Sequence, residues 1–450
     1  MFLEQKYNCK KLLMRDEPLL DINIEGWIKT KRSSKNVIFI ELSDGSCQPN
    51  LQIVVSNETK LSEPLEAFST GTSILVNGSL VESEGANQKW EVLAKSISVL
   101  GYCDNDYPLQ KKRHSDEFLR GIAHLRGRTN KYAALTRIRS QLSFSIHNYF
   151  HQKNFVQIHT PIITSSDCEG AGEMFNVEHL LGEENFFGRP AHLTVSGQLP
   201  LETYCLSHSR VYTFGPAFRA ENSNTARHVS EFWMVEPEIA FADLSDDMDL
   251  AEDFIKQVAK ETLEMCPEEM TLFKKYVDKH LEKRLEMLNS KFHRCTYSDC
   301  IDLLKNSNKN FEFKPEWGKD LQTEHEKFIT DDHFKGPVFI TDWPKDIKPF
   351  YMRLNDDEKT VSCMDLIMPR VGELIGGSAR EERSDLLKIR LGDVEKAMND
   401  YWWYLETRKY GTVKHAGFGM GFERLIMLLT GITNIRDVIA YPRTPHSLEF

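Results

Sequence analysis

Apolar and polar residues alternate in two runs between Val211 and Phe241, and a polar loop separates the runs. This alternation predicts two strands that form a hairpin. On the second run, one face holds Trp233, Val235, Ile239 and Phe241, and the other holds Phe232, Met234, Glu236 and Glu238. The first face is expected to pack in a core. The second face carries an aromatic ring in line with two carboxylates, which is unusual for a solvated surface.

The residues of this hairpin suit a nucleotide. Arg219 and Glu221 follow the first run, and Arg227 and His228 lie in the loop. Arginine grips phosphate through a fork of N–H donors, and the ring of Phe232 offers a base a surface for stacking. The alternative is an ordinary hairpin with a solvated polar face. The ring among the charges favours a nucleotide site.

A small barrel is predicted from Asp21 to Gly101, where turns separate short apolar runs. Five strands are expected at Ile22–Lys31, Val37–Leu42, Leu51–Val55, Ser73–Val81 and Glu91–Val99, with a helix at Leu61–Phe68. This order is typical of an OB-fold. Such barrels stack single-stranded bases on aromatic rings and read them with polar side chains, which makes Phe39 and Gln52 candidates for these two roles. By alternation alone, Phe39 is more simply a core residue.

The remaining sequence predicts a larger second domain. The expected divisions are an N-terminal extension, the barrel, a linker and the second domain, at residues 1–20, 21–101, 102–131 and 132–450. An apolar stripe predicts a helix over Ala134–Gln152, and a strand is expected at Asn154–Ile158. Charged helices fill an insertion at about 243–334, where the charge runs are most simply solvated helix faces. Together with the hairpin, these elements indicate an α+β fold.

Two stretches near the end of the chain place charges among apolar residues. Asp365 and Glu373 lie on a predicted pair of apolar strands, where a carboxylate is costly unless it is paired or bound to a metal. Oxygen ligands beside a triphosphate favour Mg²⁺. Arg380 follows two glycines and is able to reach a ligand. Arg424 falls in the first turn of a helix after a glycine-rich strand, where the helix dipole disfavours a cation unless an anion is near.

Composition limits the class of protein. The net charge of −11 argues against nucleic-acid binding by the surface as a whole, although a local basic face is compatible with it. The nine cysteines show no paired metal-ligand spacing, so reduced core thiols are expected. No apolar run approaches membrane-spanning length, and the N-terminus has no targeting pattern. The cytoplasm is therefore the expected compartment.

Three motifs resemble the signatures of class II aminoacyl-tRNA synthetases. The first is the amphipathic helix and strand before Pro161, the second is FRAE, RH and F in the hairpin, and the third is the glycine-rich strand and helix around Arg424. The barrel sequences GWIKTKR and VIFIELSDG resemble the anticodon-binding domain of the aspartyl, asparaginyl and lysyl enzymes. The run FLRGIAHLRGRTN and the insertion resemble the asparaginyl branch of bacterial type. The resemblance covers nearly the whole chain.

This resemblance implies a reaction and its partners. Asparagine would be activated with ATP and Mg²⁺ and transferred to tRNA(Asn), and the first motif would form a homodimer. Arg219 and Arg424 would be the catalytic residues. The implied ATP contacts are Arg219 to the α-phosphate, Arg227, His228 and Arg424 to the outer phosphates, Glu221 beside them, Phe232 to the adenine, and Asp365 and Glu373 to magnesium.

The resemblance also implies an amino-acid pocket. Its members are Glu169 and Gln198 around the substrate ammonium, with Ser196, Leu201, Glu236, Glu238 and Arg380. Leu201 stands where the aspartyl relatives have a lysine, so the second cation that aspartate requires is missing. Arg380 would donate to the carboxamide oxygen, and Glu236 or Glu238 would accept from its NH₂ group.

Three alternatives remain open at this point. One is an aspartyl-tRNA synthetase, including a non-discriminating form. Another is an ATP-dependent asparagine synthetase built on the same catalytic core, although it would need no anticodon barrel. The third is a non-catalytic RNA-binding regulator. Five intact residues argue against it, namely Arg219, Phe232, Asp365, Glu373 and Arg424.

Overall fold

The N-terminal strands form a sheet that closes on itself. The computed structural model describes residues 7–34, 37–85, 88–166, 174–181, 184–223, 225–392 and 399–450. The strands of the barrel are β1 (Leu19–Ser33), β2 (Val37–Ser43), β3 (Leu51–Ser56), β4 (Lys60–Leu61), β5 (Ser73–Glu82) and β6 (Trp90–Gly101). Neighbours in the order β3-β2-β1-β5-β6 are antiparallel, and a parallel pairing of β3 with β6 closes the barrel. Alternate side chains of these strands form one buried core.

The five long strands confirm the predicted OB-fold barrel, but one prediction in this region is wrong. Leu61–Phe68 does not form a helix, because β4 ends at Leu61 and only a single 3-10 turn follows, at Leu65–Ala67. Pro64 explains the difference. It has extended backbone angles and lacks the N–H that a helix requires, and it disfavours the helical conformation of the residue before it.

Three short helices lie before and after the barrel strands, and two of them fall within residues 102–131. The short helices of the N-terminal region are α1 (Cys9–Leu13), α2 (Asp116–Gly121) and α3 (Ala123–Arg126). The chain divides into two compact units, Met1–Arg137 and Ile138–Phe450. The long helix α4 (Asn130–Gln152) crosses that boundary.

An eight-stranded sheet forms the centre of the second unit. The strands of this unit are β7 (Val156–Gln157), β8 (Ile163–Thr164), β9 (Leu180–Leu181), β10 (Glu184–Asn185), β11 (His192–Leu193), β12 (Arg210–Phe218), β13 (Glu231–Ala240), β14 (His293–Thr296), β15 (Val338–Pro344), β16 (Thr360–Met368), β17 (Gly372–Ala379) and β18 (His415–Gly421). The order is β14-β15-β16-β17-β18-β13-β12-β7. Only the pairings at the two edges are parallel. Two separate pairs, β9 with β10 and β8 with β11, lie outside the main sheet.

Helices flank this sheet, which gives the α+β fold that the sequence predicts. They are α5 (Gln198–His208), α6 (Leu244–Met265), α7 (Pro267–Tyr276), α8 (Leu281–Glu286), α9 (Tyr297–Lys305), α10 (Thr323–Lys327), α11 (Ser384–Leu391), α12 (Trp402–Glu406) and α13 (Phe422–Thr430). The side chain of Asp243 caps the start of α6, and the apolar face of that helix packs on β17 and β18. Among the described helices, none has the length and apolarity to cross a membrane.

Three sequence-based expectations differ from this fold. The segment 243–334 is not only a set of solvated helices, because α6 contributes core residues and β14 extends the sheet. The strand at Asn154–Ile158 is reduced to β7, which has only two residues. The face of the hairpin expected in the core is buried only in its middle. Phe241 is 74% exposed because its positive φ of 61° turns the chain out of β13 toward α6.

Candidate active site

An open cleft lies on the sheet of the second unit, and both charged and apolar side chains line it. The seven residues predicted to bind ATP all line it, namely Arg219, Glu221, Arg227, His228, Phe232, Glu373 and Arg424. They meet because β12, β13, β18 and β17 are neighbours in the sheet.

The three arginines of the cleft have few close contacts with acidic groups. The guanidinium of Arg219 lies 5.4 Å from the centre of the Phe232 ring. Nη1 of Arg227 is 3.7 Å from Oε2 of Glu326, and Arg424 donates to the backbone carbonyl of Glu373. At 3.7 Å from Glu326, the Arg227 guanidinium can still form the two parallel hydrogen bonds with which arginine binds a phosphate.

Glu326 is a cleft residue that sequence reasoning missed, since its segment was assigned no chemistry. It lies on α10, and burial raises the pKa of its carboxyl to about 7, with Glu373 adding to the shift and Arg227 opposing it. Because Gly372 has no Cβ, the side chains of Arg227 and Glu326 can lie against its backbone. A Cβ on this glycine would lie 2.8 Å from Nη1 of Arg227 and 3.0 Å from Oε2 of Glu326. No local sequence pattern distinguishes Glu326 from its acidic neighbours.

Asp365 and Glu373, the two predicted metal ligands, lie near each other beside Gly376. A Cβ built on Gly376 would be 3.2 Å from Oε1 of Glu373 and 3.7 Å from Oδ1 of Asp365, so the two carboxylates flank this glycine. Burial raises the pKa of Asp365 to about 6, and Lys348, which sequence reasoning missed, opposes the shift from 2.6 Å. The described residues offer no cluster of three potential ligands. Two carboxylates still fit Mg²⁺, which keeps several waters and uses few protein ligands.

The residues predicted to bind the amino acid form one buried hydrogen-bond network. The hydroxyl of Ser196 and the backbone N–H of Gly197 donate to the Glu236 carboxylate, the second at 2.9 Å. The N–H of Gln198 donates to the Ser196 hydroxyl at 3.1 Å. All of these side chains are at least nine-tenths buried.

Arg380 and Glu238 form the innermost pair of this network. Nε of Arg380 donates to Oε2 of Glu238 at 3.1 Å, Nη2 donates to Oε1, and Nη1 donates to the Ser378 hydroxyl at 2.8 Å. Gly417 leaves the room that Glu238 occupies, because a Cβ there would lie 2.4 Å from the carboxyl carbon. A guanidinium and a carboxylate held side by side can bind both ends of a carboxamide.

A second group of buried polar residues surrounds this pair, and sequence reasoning missed it. Glu202 on α5 accepts hydrogen bonds from the Tyr404 hydroxyl at 2.7 Å and from Nη2 of Arg408 at 2.8 Å. Nε2 of His415 is 3.1 Å from the same carboxylate. The position of Glu202 four residues after Gln198 was the one available signal, because residues at that spacing share a helix face.

The remaining two candidates for the amino-acid pocket are Leu201 and Glu169. Leu201 is completely buried and packs with Cys205 and Val211 in a small apolar cluster, so the structure places it in the core and not on an open pocket wall. Glu169 lies outside the described residues. Its role therefore stays a prediction.

The two anticodon candidates lie on adjacent strands of the barrel. Phe39 is half-buried and outside the barrel core, which Ile38 and Ile40 contact from the other face of β2. Arg32 lies 5.9 Å from the centre of its ring. Gln52 on β3 donates to Glu91 at 2.9 Å. The ring of Phe39 is thus placed where a base could stack, and it is not the core residue that alternation alone favoured.

A largely antiparallel sheet with this cleft, preceded by an OB-fold barrel, defines the class of protein. The family described as class II tRNA synthetases (D, K and N) matches residues 116–445, and the OB-fold nucleic acid binding domain matches residues 22–100. The chain belongs to the class II tRNA synthetases of this group. The family and the fold predicted from the motifs are confirmed.

Similar proteins match this chain over nearly its full length. An asparagine–tRNA ligase of Oleidesulfovibrio alaskensis is 55% identical over 96% of this chain and 97% of its own length. One of Clostridium tetani is 54% identical over 99% and 100%. The crystal structure of asparaginyl-tRNA synthetase from Pyrococcus horikoshii, complexed with asparaginyl-adenylate, is 30% identical, with a TM-score of 0.88 over 99% of this chain and 100% of that one. An aspartyl-tRNA synthetase from Entamoeba histolytica, at 22% identity and a TM-score of 0.77, shares the fold.

Proposed function

We propose that this protein is an asparagine–tRNA ligase, which activates asparagine with ATP and transfers it to the 3′ end of tRNA(Asn). The observation that carries the proposal is the identity of more than half of all residues with asparagine–tRNA ligases over nearly the full chain. The paired Arg380 and Glu238 support it, because a neutral carboxamide can bind both of them.

The reaction has two steps, and neither requires a nucleophile from the protein. In the first, a carboxylate oxygen of asparagine attacks the α-phosphorus of ATP, and pyrophosphate leaves. In the second, a hydroxyl of the terminal ribose of tRNA attacks the carbonyl carbon of the adenylate, and AMP leaves. Catalysis consists of alignment and stabilisation of charge.

The cleft residues have distinct roles in the first step. Arg219 binds the α-phosphate, where charge grows in the transition state, and Phe232 stacks on the adenine. Arg227, His228 and Arg424 bind the outer phosphates, with Glu221 beside them. Asp365 and Glu373 would hold Mg²⁺, which when bound neutralises phosphate charge. Lys348 neutralises Asp365 when the metal is absent.

Selection of asparagine over aspartate follows from the charges of the pocket. Arg380 donates to the carboxamide oxygen of the substrate, and Glu238 accepts from its NH₂ group. An aspartate carboxylate would instead face Glu238 and Glu236, and Leu201, which stands where the aspartyl relatives have a lysine, supplies no second cation. A site that is built around a specific hydrogen-bond pattern can reject the wrong ligand by about 10⁴ or more. The aspartyl alternative is supported only by likeness in fold.

Three finer features belong to the same proposal. Phe39 and Gln52 bind the anticodon of tRNA. Two subunits associate through the first motif, where Phe144 and Val156 are apolar and exposed, as interfaces between subunits require. The protein acts in the cytoplasm, which agrees with the absence of any disulfide among the cysteines in the described ranges.

ATP–pyrophosphate exchange, measured with asparagine and with aspartate, tests the proposal directly. We expect rapid exchange with asparagine and exchange lower by about 10⁴ with aspartate. Charging of tRNA(Asn) should follow the same preference. Comparable exchange with both amino acids would overturn it, and sedimentation of the purified protein would test the homodimer.

A further inference from the structure

Glu202 is a buried carboxylate that the proposed reaction does not use. It is fully buried on α5, and its two oxygens contact side chains from four parts of the second unit. Oε2 meets the Tyr404 hydroxyl, Nη2 of Arg408 and Nε2 of His415, at 2.7, 2.8 and 3.1 Å. A carboxylate with this many donors is fixed in position.

The other oxygen of Glu202 contacts the amino-acid pocket. Nε2 of Gln198 donates to Oε1 of Glu202 at 3.0 Å. The donor and acceptor of a glutamine amide lie on opposite sides of the same carbon, so this bond turns Oε1 of Gln198 away from Glu202. That oxygen is then presented as an acceptor for the ammonium group of the substrate.

Glu202 also changes the charge around Arg380. Oε1 of Glu202 is 4.0 Å from Nε of Arg380, and Glu238 is bonded to the same guanidinium. Burial opposes ionisation, but Arg408 and His415 hold the pKa of Glu202 well below its usual range. Two carboxylates therefore share one arginine, which reduces its attraction for an anionic side chain.

We propose that Glu202 is a positioning residue that sets both the binding and the selection of the amino acid. It orients the amide of Gln198 toward the substrate ammonium, and its negative charge beside Arg380 makes the pocket accept a carboxamide and refuse a carboxylate. This inference rests on the proposed function, because it concerns the same pocket.

Two substitutions separate the roles of charge and position. Glu202→Gln removes the charge and keeps the size, whereas Glu202→Asp keeps the charge and withdraws the oxygens from Gln198. For both variants, we expect the KM for asparagine in pyrophosphate exchange to rise by about 10-fold or more, with the KM for ATP nearly unchanged. Only Glu202→Gln should raise the ratio of aspartate to asparagine activation, by about 10-fold.

Matched variants exclude a general structural effect. Asp278→Asn breaks another buried carboxylate–arginine pair, with Arg284, and should leave both KM values and the ratio unchanged. Tyr404→Phe removes one bond to Glu202 and keeps the charge, so it should raise only the KM for asparagine, by about threefold. If Glu202→Gln does not fold, Tyr404→Phe and Glu202→Asp decide the positioning role.

The outcomes distinguish this inference from the proposed function. Equal increases in the KM for ATP and for asparagine, with an unchanged aspartate ratio, would show that Glu202 only supports the fold and would overturn the inference. Absence of asparagine-dependent exchange in the unmodified protein would overturn the proposed function itself.

Discussion

The nucleotide cleft and the amino-acid pocket lie on the same sheet and are built in opposite ways. In the cleft, Nη1 of Arg227 is 3.7 Å from Oε2 of Glu326, and the guanidinium of Arg219 lies 5.4 Å from the centre of the Phe232 ring. In the pocket, Arg380 and Glu238 are fully buried and joined by two hydrogen bonds. The amino-acid pocket thus has a fixed pattern of hydrogen-bond donors and acceptors. In the nucleotide cleft, the Arg227 guanidinium is not hydrogen-bonded to Glu326.

The difference follows from what each site must recognise. A triphosphate is strongly charged, and arginines bind it through charge-assisted hydrogen bonds. Asparagine differs from aspartate in a single group, so selection needs polar groups that cannot rearrange. Substitutions in the cleft should therefore reduce activity and leave stability, whereas substitutions around the pocket should affect both.

The largest effect on activity is expected from Arg219→Ala in the cleft. The lost contact belongs to the transition state, so pyrophosphate exchange should fall by about 10²–10³, or roughly 3–4 kcal/mol. The free energy of unfolding, measured by urea denaturation, should change little. Exchange within a few-fold of the unmodified protein would remove Arg219 from the site and would break the comparison.

The same contrast explains how much the sequence could predict. The cleft was predicted almost completely, because Arg219, Phe232 and Arg424 belong to local motifs that carry their chemistry within a few residues. The barrel was also predicted, since alternation is a local property of each strand. In the barrel, the predicted helix at Leu61–Phe68 was wrong, because Pro64 has extended backbone angles and lacks the N–H that a helix requires.

The pairings within the pocket could not be predicted in the same way, although the resemblance names Glu238 and Arg380 as pocket residues. Glu238 and Arg380 are separated by 142 residues, Glu202 and Arg408 by 206, and Glu202 and His415 by 213. Each partner alone is an ordinary polar residue in an apolar stretch. The pairing exists only after the sheet has brought β13, β17 and β18 together. Lys348 was missed for a similar reason, since its segment has no regular pattern.

Leu201→Lys tests whether position 201 lies in the apolar core or borders the substrate. The resemblance to the aspartyl relatives, which have a lysine at this place, predicts that Leu201→Lys partly relieves the exclusion of aspartate. The structure leads to a different expectation, because the ammonium would enter the cluster of Leu201, Cys205 and Val211. The free energy of unfolding should fall by about 3 kcal/mol, as urea denaturation would measure.

The matched control at this position is Leu201→Met, which conserves volume and should cost less than about 1.5 kcal/mol. A Leu201→Lys protein of normal stability that activates aspartate would mean that this position borders the substrate. In that case the pocket would be less closed than its buried network indicates.

Phe39→Ala extends the comparison to the barrel. Its ring is half-buried and outside the core, so it should behave as an open, functional residue. Charging of tRNA should weaken by about 1–3 kcal/mol, with adenylate formation unchanged. Ile40→Ala, at a buried position on the same strand, is the control and should lower stability. If Phe39→Ala lowers stability as much as Ile40→Ala does, the stacking role is wrong.

Gly372→Ala gives the smallest effect and the sharpest test of the cleft. Gly372 has φ of 86°, and a Cβ there would lie 2.8 Å from Nη1 of Arg227. Displacement of this arginine should raise the KM for ATP by about threefold to tenfold, with the KM for asparagine unchanged.

Gly411→Ala provides the control, since Gly411 has φ of 69° and no atom within 4 Å of its Cβ position. Both variants bear the backbone strain of about 1–2 kcal/mol, which thermal unfolding would measure. Equal KM values for ATP in the two variants would show that Arg227 is not held by this contact.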